Sequence, residues 1–255
     1  MNSILVSMIV FACVFAGALF GMYLRVALPE HHLSAASIDA VKVGMALVAT
    51  MCAIVLGLLV SSAKSAYDAQ SIELTGLSAK LVMLDRILEH YGSDTKQMRE
   101  SLRATVVSAL NRLEAKNSSE TPSRLEPQVT GATGAESIFD KIEGLSPKDE
   151  TQRSLQARAS GIAFDLLQTR WLMFEQAATP ISLPMLIVLI FWLTVLFVSF
   201  GLFAPWNTTV VISYLIAAVS VSAAIFLIVE MYTPYSGLIH VSGTPLRAAI
   251  AHLGQ

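Results

Sequence analysis

Four stretches of this chain are dominated by apolar residues, at positions 4–24, 43–60, 184–203 and 210–229, and none of them contains Asp, Glu, Lys, Arg or His. A hydrocarbon core about 30 Å thick takes about 20 helical residues to cross, so each stretch reads as a membrane span. Ionisable residues inside a span usually announce a proton relay or a coupled-substrate site, and their absence argues against a proton pump or an ion-coupled transporter. The N-terminal "MNSILVSMIV" lacks the basic n-region of a secretory signal, and its apolar run outlasts a typical h-region. It reads as a retained first span.

Between the second and third spans the apolar positions become periodic. Tyr67, Leu74, Leu77, Leu81, Leu84, Leu88 and Tyr91 recur at steps of three, four or seven, the seam of a helix that packs along its length. The second span therefore continues into water as one helix. Residues 43–91 would make a rod of about 70 Å at helical rise. Each leucine buried from this stripe contributes about 1.5–3 kcal/mol, so the rod needs partners. Tyr91-Gly92 stops the helix, and Ser93-Asp94 offers N-cap chemistry for a second one through about Glu114, with Met98, Leu102, Val106, Leu110 and Leu113 on its apolar side. Residues 117–136, rich in Ser, Thr, Pro and Gly without a periodic face, predict a mobile loop. A short helix around 138–142 follows, and Ser146 with Pro147 can cap and open a long helix through Leu155, Ile162, Leu166 and Met173. Past the fourth span, Thr244-Pro245 starts a last helix with Leu246, Ile250 and Leu253 on one face.

The predicted fold is all-α: four transmembrane helices with a cytoplasmic helical bundle inserted between the second and third. Residues 1–63 hold spans one and two, 64–182 the cytoplasmic helices, 183–229 spans three and four, and 230–255 a cytoplasmic or interfacial tail. Composition agrees, with 54% hydrophobic and 14% charged residues, too apolar for an ordinary water-soluble domain. Fourteen of the seventeen Lys and Arg residues fall within 61–182, which predicts that segment, the N-terminus and the tail on the cytoplasmic side; the expected location is a bacterial inner membrane. The net charge of −2 and the lack of a basic cluster give no sign of a nucleic-acid partner. The predicted partners are membrane lipid, further copies of the chain and a permeant ion.

On the second span Ala49, Ala53, Gly57, Ser61, Ser65 and Ala69 recur every four residues, a small-residue face that permits close helix approach. The first span offers Gly17-x-x-x-Gly21. The plainer interpretation is a packed hairpin of spans one and two. The sharper one is close packing around a symmetry axis, with Thr50, Ile54, Leu58 and Ser61 facing a pore; a hydrophobic constriction can gate ions by dewetting, so such a face needs no charge. The leucines at 74, 77, 81, 84 and 88 are candidate helix-packing or oligomer contacts.

Motifs for chemistry are missing: there is no HExxH, Walker-type loop, GxSxG or dinucleotide fingerprint. No enzyme and no cofactor is predicted. Cys13 and Cys52 lie in apolar runs without ligand spacing and read as packing residues. Glu30, His31, His32 and Asp39 in "PEHHLSAASID" could gather on a cation, but adjacent histidines diverge on regular structure, so no metal site is predicted. His90 and His252 sit near helix ends, where the dipole accounts for them. Glu73 and Arg86 read as a solvated flank, or alternatively as a pairing site between subunits or a charged vestibule.

The segments "GLLVSSAKSAYDAQSIEL" (57–74), "LDRILEHYG" (84–92), "LLQTRW" (166–171) and above all "PYSGLIHVSGTPLRAAIAHLGQ" (234–255) resemble the bestrophin-like domain family. The matching tail positions include Glu230, Pro234, Gly237 and His240. The resemblance implies a homo-oligomer, pentameric as in bestrophins, whose second span lines a pore passing anions such as chloride. Bestrophins proper also carry an acidic calcium-binding cluster after the last span and an aromatic neck on the second. Here Glu230 stands alone and residues 43–60 contain no Phe, Tyr or Trp, so neither feature is carried over. Two other functions fit the topology less closely: a non-conducting scaffold or signalling protein working through its cytoplasmic helices, and a stator-like subunit of a proton-driven motor.

Overall fold

The computed structural model describes residues 2–28, 35–118, 129–178, 183–232, 238–239 and 241–254. Eight α-helices make up the regular structure among them: α1 (Ser3–Ala27), α2 (Ala35–Tyr91), α3 (Lys96–Ser118), α4 (Val129–Glu143), α5 (Glu150–Ala178), α6 (Leu183–Phe203), α7 (Thr208–Met231) and α8 (Thr244–His252), with a 3₁₀ turn at Ser93–Thr95. The helices α1, α2, α6 and α7 are long and apolar enough to cross a membrane. The four predicted spans, and the helical insertion between the second and third, are all present.

The chain divides into two compact units, residues 1–66 with 180–232 and residues 67–179 with 233–255. The first is built around α1, which packs against α6 and α7. Val10, Val14 and Ala18 of α1 are fully buried against Leu189 and Leu193 of α6 and Ala218 and Ile225 of α7. Asn2 caps α1 through the Ile4 N–H (3.2 Å) and Asn207 caps α7 through the Val210 N–H (2.9 Å), each satisfying a donor that the helix itself leaves open. Where α1 and α6 cross, glycine replaces side-chain contact with backbone contact. A methyl group at Gly21 would overlap the Val198 carbonyl and approach the Leu202 nitrogen to 2.9 Å, and one at Gly201 would overlap the Ala18 carbonyl. Gly17 faces Thr194 and Val198 of the same helix. The Gly17-x-x-x-Gly21 face therefore belongs to the third span, not to a hairpin with the second.

Along α7 the contact with α1 is polar. The Ser7 and Ser222 hydroxyls are 2.7 Å apart, Ser222 Oγ donates to the Ser7 carbonyl (2.7 Å), and Ser3 Oγ donates to the buried Glu230 carboxylate. In hydrocarbon no water competes for these groups, so each must find its partner inside the protein.

The second unit is a helical bundle. Leu74, Leu81, Leu84 and Leu88 of α2 are buried with Met98, Leu102, Val106 and Leu110 of α3, Ile138 and Ile142 of α4, and Ala159 and Ala163 of α5; Leu77 joins them half-buried. The leucine seam finds its partners within the chain. The α2–α3 turn forms as expected, with Gly92 at φ +126°, in the left-handed region that favours glycine. Thr95, fully buried, closes the turn by donating to the carbonyls of Leu88 and Gly92.

Two boundaries differ from expectation. Residues 129–136 of the expected loop belong to α4: once Ile138 and Ile142 are anchored in the core, each further residue adds a helical hydrogen bond without a new nucleation cost. Of that expected loop, residues 119–128 lie outside the described residues. The start of α5 is at Glu150, and its cap is Asp149, which accepts the Gln152 N–H (2.7 Å) while Gln152 Oε1 accepts the Lys148 N–H (2.8 Å). That reciprocal pair satisfies two donors, whereas a lone Ser146 cap would satisfy one.

Candidate functional site

On α2 the burial pattern separates two faces. Cys52, Leu59 and Ala63 are buried in the core of the first unit, with Met45, Val48, Ala49, Val55 and Leu56 packed at its margin. Thr50, Ile54, Leu58 and Ser61 lie on the other side and are exposed, Ile54 at 56% and Leu58 at 58%. The four predicted pore residues thus share one uncovered strip at helical spacing. Of the small residues, Ala49 is half-buried, while Ala53, Gly57 and Ser61 are exposed, and among the described residues nothing lies within 4 Å of where a Gly57 Cβ would be. The stripe is accordingly not buried against α1, whose own glycines are taken by α6.

The strip is uncharged and carries hydroxyls. Thr50 Oγ1 donates to the Ala46 carbonyl (2.9 Å) one turn back, so its hydroxyl is satisfied within the helix even in a dry environment. Ser62, beside the strip, is 2.9 Å from the Tyr232 hydroxyl, which ties the end of the membrane portion of α2 to the end of α7. From Val43 onward the first charged residue is Lys64, one turn beyond Ser61. Such a surface can pass or exclude an ion by its width and wetting, and it carries no side chain that is charged at neutral pH.

Glu230 is buried in the α1–α7 contact. Pro234, Gly237 and His240 lie outside the described residues, as do Glu30, His31 and His32. Asp39 is exposed and pairs with Lys42 at 3.7 Å. Among the described residues no three His, Cys, Asp or Glu side chains come together as metal ligands. The His90 ring nitrogen Nδ1 lies 2.7 Å from the Arg86 carbonyl, and Arg86 also pairs with Glu89 at 2.9 Å.

Sequence reasoning overlooked a second polar centre, in the bundle. Asp85 of α2 is fully buried and accepts two hydrogen bonds from Arg99 of α3, Nε at 2.8 Å and Nη2 at 2.9 Å, plus the backbone N–H of Gly254 at 3.1 Å. Burial opposes ionisation of Asp85, but the bonds from Arg99 and Gly254 and the positive charge of Arg99 and Arg86 outweigh it, so the carboxyl titrates below its usual range. Arg99 is held correspondingly more basic by the Asp85 carboxylate. A signal was available: Asp85 stands between Leu81, Leu84 and Leu88, a charge set into an apolar seam.

The bestrophin-like domain matches residues 12–246. A crystal structure of a bacterial bestrophin homolog from Klebsiella pneumoniae, bearing one mutation, is similar over 95% of this chain and 98% of its own, with a TM-score of 0.63 at 13% identity, a likeness of fold. No curated protein matches the chain. With four membrane-length helices, a helical insertion after the second and a family match across nearly its whole length, the chain is an integral membrane protein that belongs to the bestrophin-like family.

Proposed function

We propose that this protein is a homo-oligomeric membrane channel, pentameric in the manner of bestrophins, that conducts ions passively through a pore lined by α2. The observation that carries this reading is the uncovered strip of Thr50, Ile54, Leu58 and Ser61, whose opposite face is anchored in the folded chain. Around a symmetry axis such strips enclose an uncharged passage with hydroxyls along it. The permeant ion is an anion, chloride foremost. No carboxylate occurs between Val43 and Lys64, and Lys64 supplies positive charge beyond the passage. The remaining exposed apolar surface, such as Ile187 and Phe191 of α6 and Ile216 of α7, faces membrane lipid, since patches of this size are not left in water. The membrane is a bacterial inner membrane, with residues 64–182 and both termini cytoplasmic.

Chloride flux from liposomes holding the purified protein tests this. Wild type conducts above protein-free vesicles, and Ile54→Ala and Leu58→Ala each change the flux severalfold, because a hydrophobic constriction sets the dewetting barrier. The control Ile216→Ala, on α7, leaves flux unchanged. Flux equal to that of empty vesicles over a range of voltage and pH refutes conduction, and would favour a scaffold acting through the cytoplasmic helices.

A further inference from the structure

Along α1, Ser7 and Phe11 lie one helical turn apart, and along α7 Val219, Ser222 and Phe226 recur at steps of three and four, so each set shares one side of its helix. Those sides meet at a groove. Its volume is about 400 Å³, lined by these residues with Met8 and Ala223, within the roughly 300–1,000 Å³ of small-ligand sites. Phe11 and Phe226 are its half-buried walls, and Met8 and Val219, 66% and 52% exposed, are its rims. Phe11 is fixed by stacking on Phe15, with ring centroids 5.7 Å apart and planes 9° from parallel. At the floor each serine hydroxyl is spent on the opposite helix: Ser222 Oγ donates to the Ser7 carbonyl at 2.7 Å, and Ser7 Oγ to the Ser222 carbonyl at 3.3 Å. No hydroxyl proton of the floor is left for a lipid phosphate.

We propose that this groove seats one phospholipid acyl chain, carried by each protomer as a structural component and distinct from the exchanging lipid around it. Both helices are long and apolar enough to cross a membrane, so the medium that meets the groove is hydrocarbon, and the size of the groove selects among apolar occupants. Val219 to Phe226 spans roughly 10 Å at helical rise, so a volume of about 400 Å³ corresponds to a cross-section of about 40 Å². A helix about 10–12 Å across has about twice that section or more. A helix of a second copy would therefore ride on Met8 and Val219 and leave the floor unfilled, whereas a single flexible chain enters. Lipid tails are as apolar as the groove, so the transfer gains nothing from the hydrophobic effect. Close packing against the walls holds the chain, and recognition is of the chain, not the headgroup. Ala223 leaves the room: it stands between Val219 and Phe226 on the same side of α7, and a leucine there would occupy the seat. No lining residue belongs to α2, so the seat does not rest on the pore reading.

Native mass spectrometry of the full-length protein from mild detergent reads the seat, with phosphatidylethanolamine and phosphatidylglycerol of equal chains offered in mixed micelles. Wild type is expected to keep one phospholipid per protomer, of either headgroup, and Ala223→Leu to keep it roughly tenfold less often. Ile187→Ala on α6, where Ile187 is exposed outside the groove, keeps it as wild type does. Stripping the lipid lowers the thermal midpoint of wild type, and restoring phosphatidylethanolamine raises it again; Ala223→Leu, with its own side chain in the groove, shows neither shift. Equal retention in wild type and Ala223→Leu means exchanging boundary lipid only and overturns the seat, as does retention that follows the headgroup. Absence of retained lipid in wild type overturns it too, and an intermolecular disulfide through Val219→Cys, beyond any formed by the native cysteines, then assigns the groove to a second copy. If Ala223→Leu is not monodisperse, Val219→Ala decides: loss of part of a rim is expected to lower retention severalfold, and wild-type retention in that variant overturns the seat.

Discussion

Gly21→Leu will prevent the membrane unit from assembling, seen as loss of the monodisperse peak in detergent and of a cooperative thermal transition. Overpacking a well-packed core costs about 1–3 kcal/mol when neighbouring side chains can shift. Here the neighbours are the Val198 carbonyl and the Leu202 nitrogen, backbone atoms that move only if α6 as a whole moves. The α1–α6 contact would have to open, exposing the buried row of Val10, Val14, Leu189 and Leu193. Gly201→Leu will do the same from the opposite helix, since its added side chain meets the Ala18 carbonyl. Gly57→Leu is the informative control. Among the described residues nothing lies within 4 Å of a Cβ added at Gly57, so that variant will retain the thermal stability of the protomer. A Gly21→Leu protein as stable as wild type would refute the α1–α6 crossing.

Asp85→Ala will destabilise the helical bundle by about 3 kcal/mol, because removing one partner of a buried ion pair strands the other. Arg99 keeps 17% of its side chain exposed, which places the effect at the low end of the usual range. Chemical denaturation followed by the exchange of α3 amides measures it. The pH dependence follows from the same pair. The folded pKa of Asp85 lies below that of the unfolded chain, so its stabilisation is fully present above the unfolded value of about 3.9 and is lost as pH falls through the folded value. The bundle will lose stability on acidification below about pH 4, and Asp85→Ala will flatten that limb. Unchanged denaturation midpoints at both neutral and acid pH would show that Asp85 carries no such load.

Much of this architecture is legible in the chain because the signals are local. The leucines from 74 to 88 announce a packed helix at their spacing, and the core they enter contains them. Tyr91-Gly92 announces a stop, and Gly92 supplies the positive φ that a stop there requires. Other features depend on a partner distant in sequence. Gly17 and Gly21 say that some backbone comes close, but not that it belongs to α6. The strip at Thr50, Ile54, Leu58 and Ser61 could be inferred as one face, yet periodicity is indifferent to which face is covered. Glu230 looked interfacial, and only its contact with Ser3, 227 positions away, shows what it holds.

The sequence by itself determined the number of membrane-length apolar helices, the helical nature of the insertion and the family, because hydrocarbon thickness, helical period and turn chemistry act on neighbours along the chain. Tertiary structure alone decided that α6 and α7 embrace α1, and that the tail helix returns to Asp85. Those outcomes come from complementary surfaces and from one buried carboxylate between segments far apart in sequence, where packing shape and the cost of an unpaired charge select the partner.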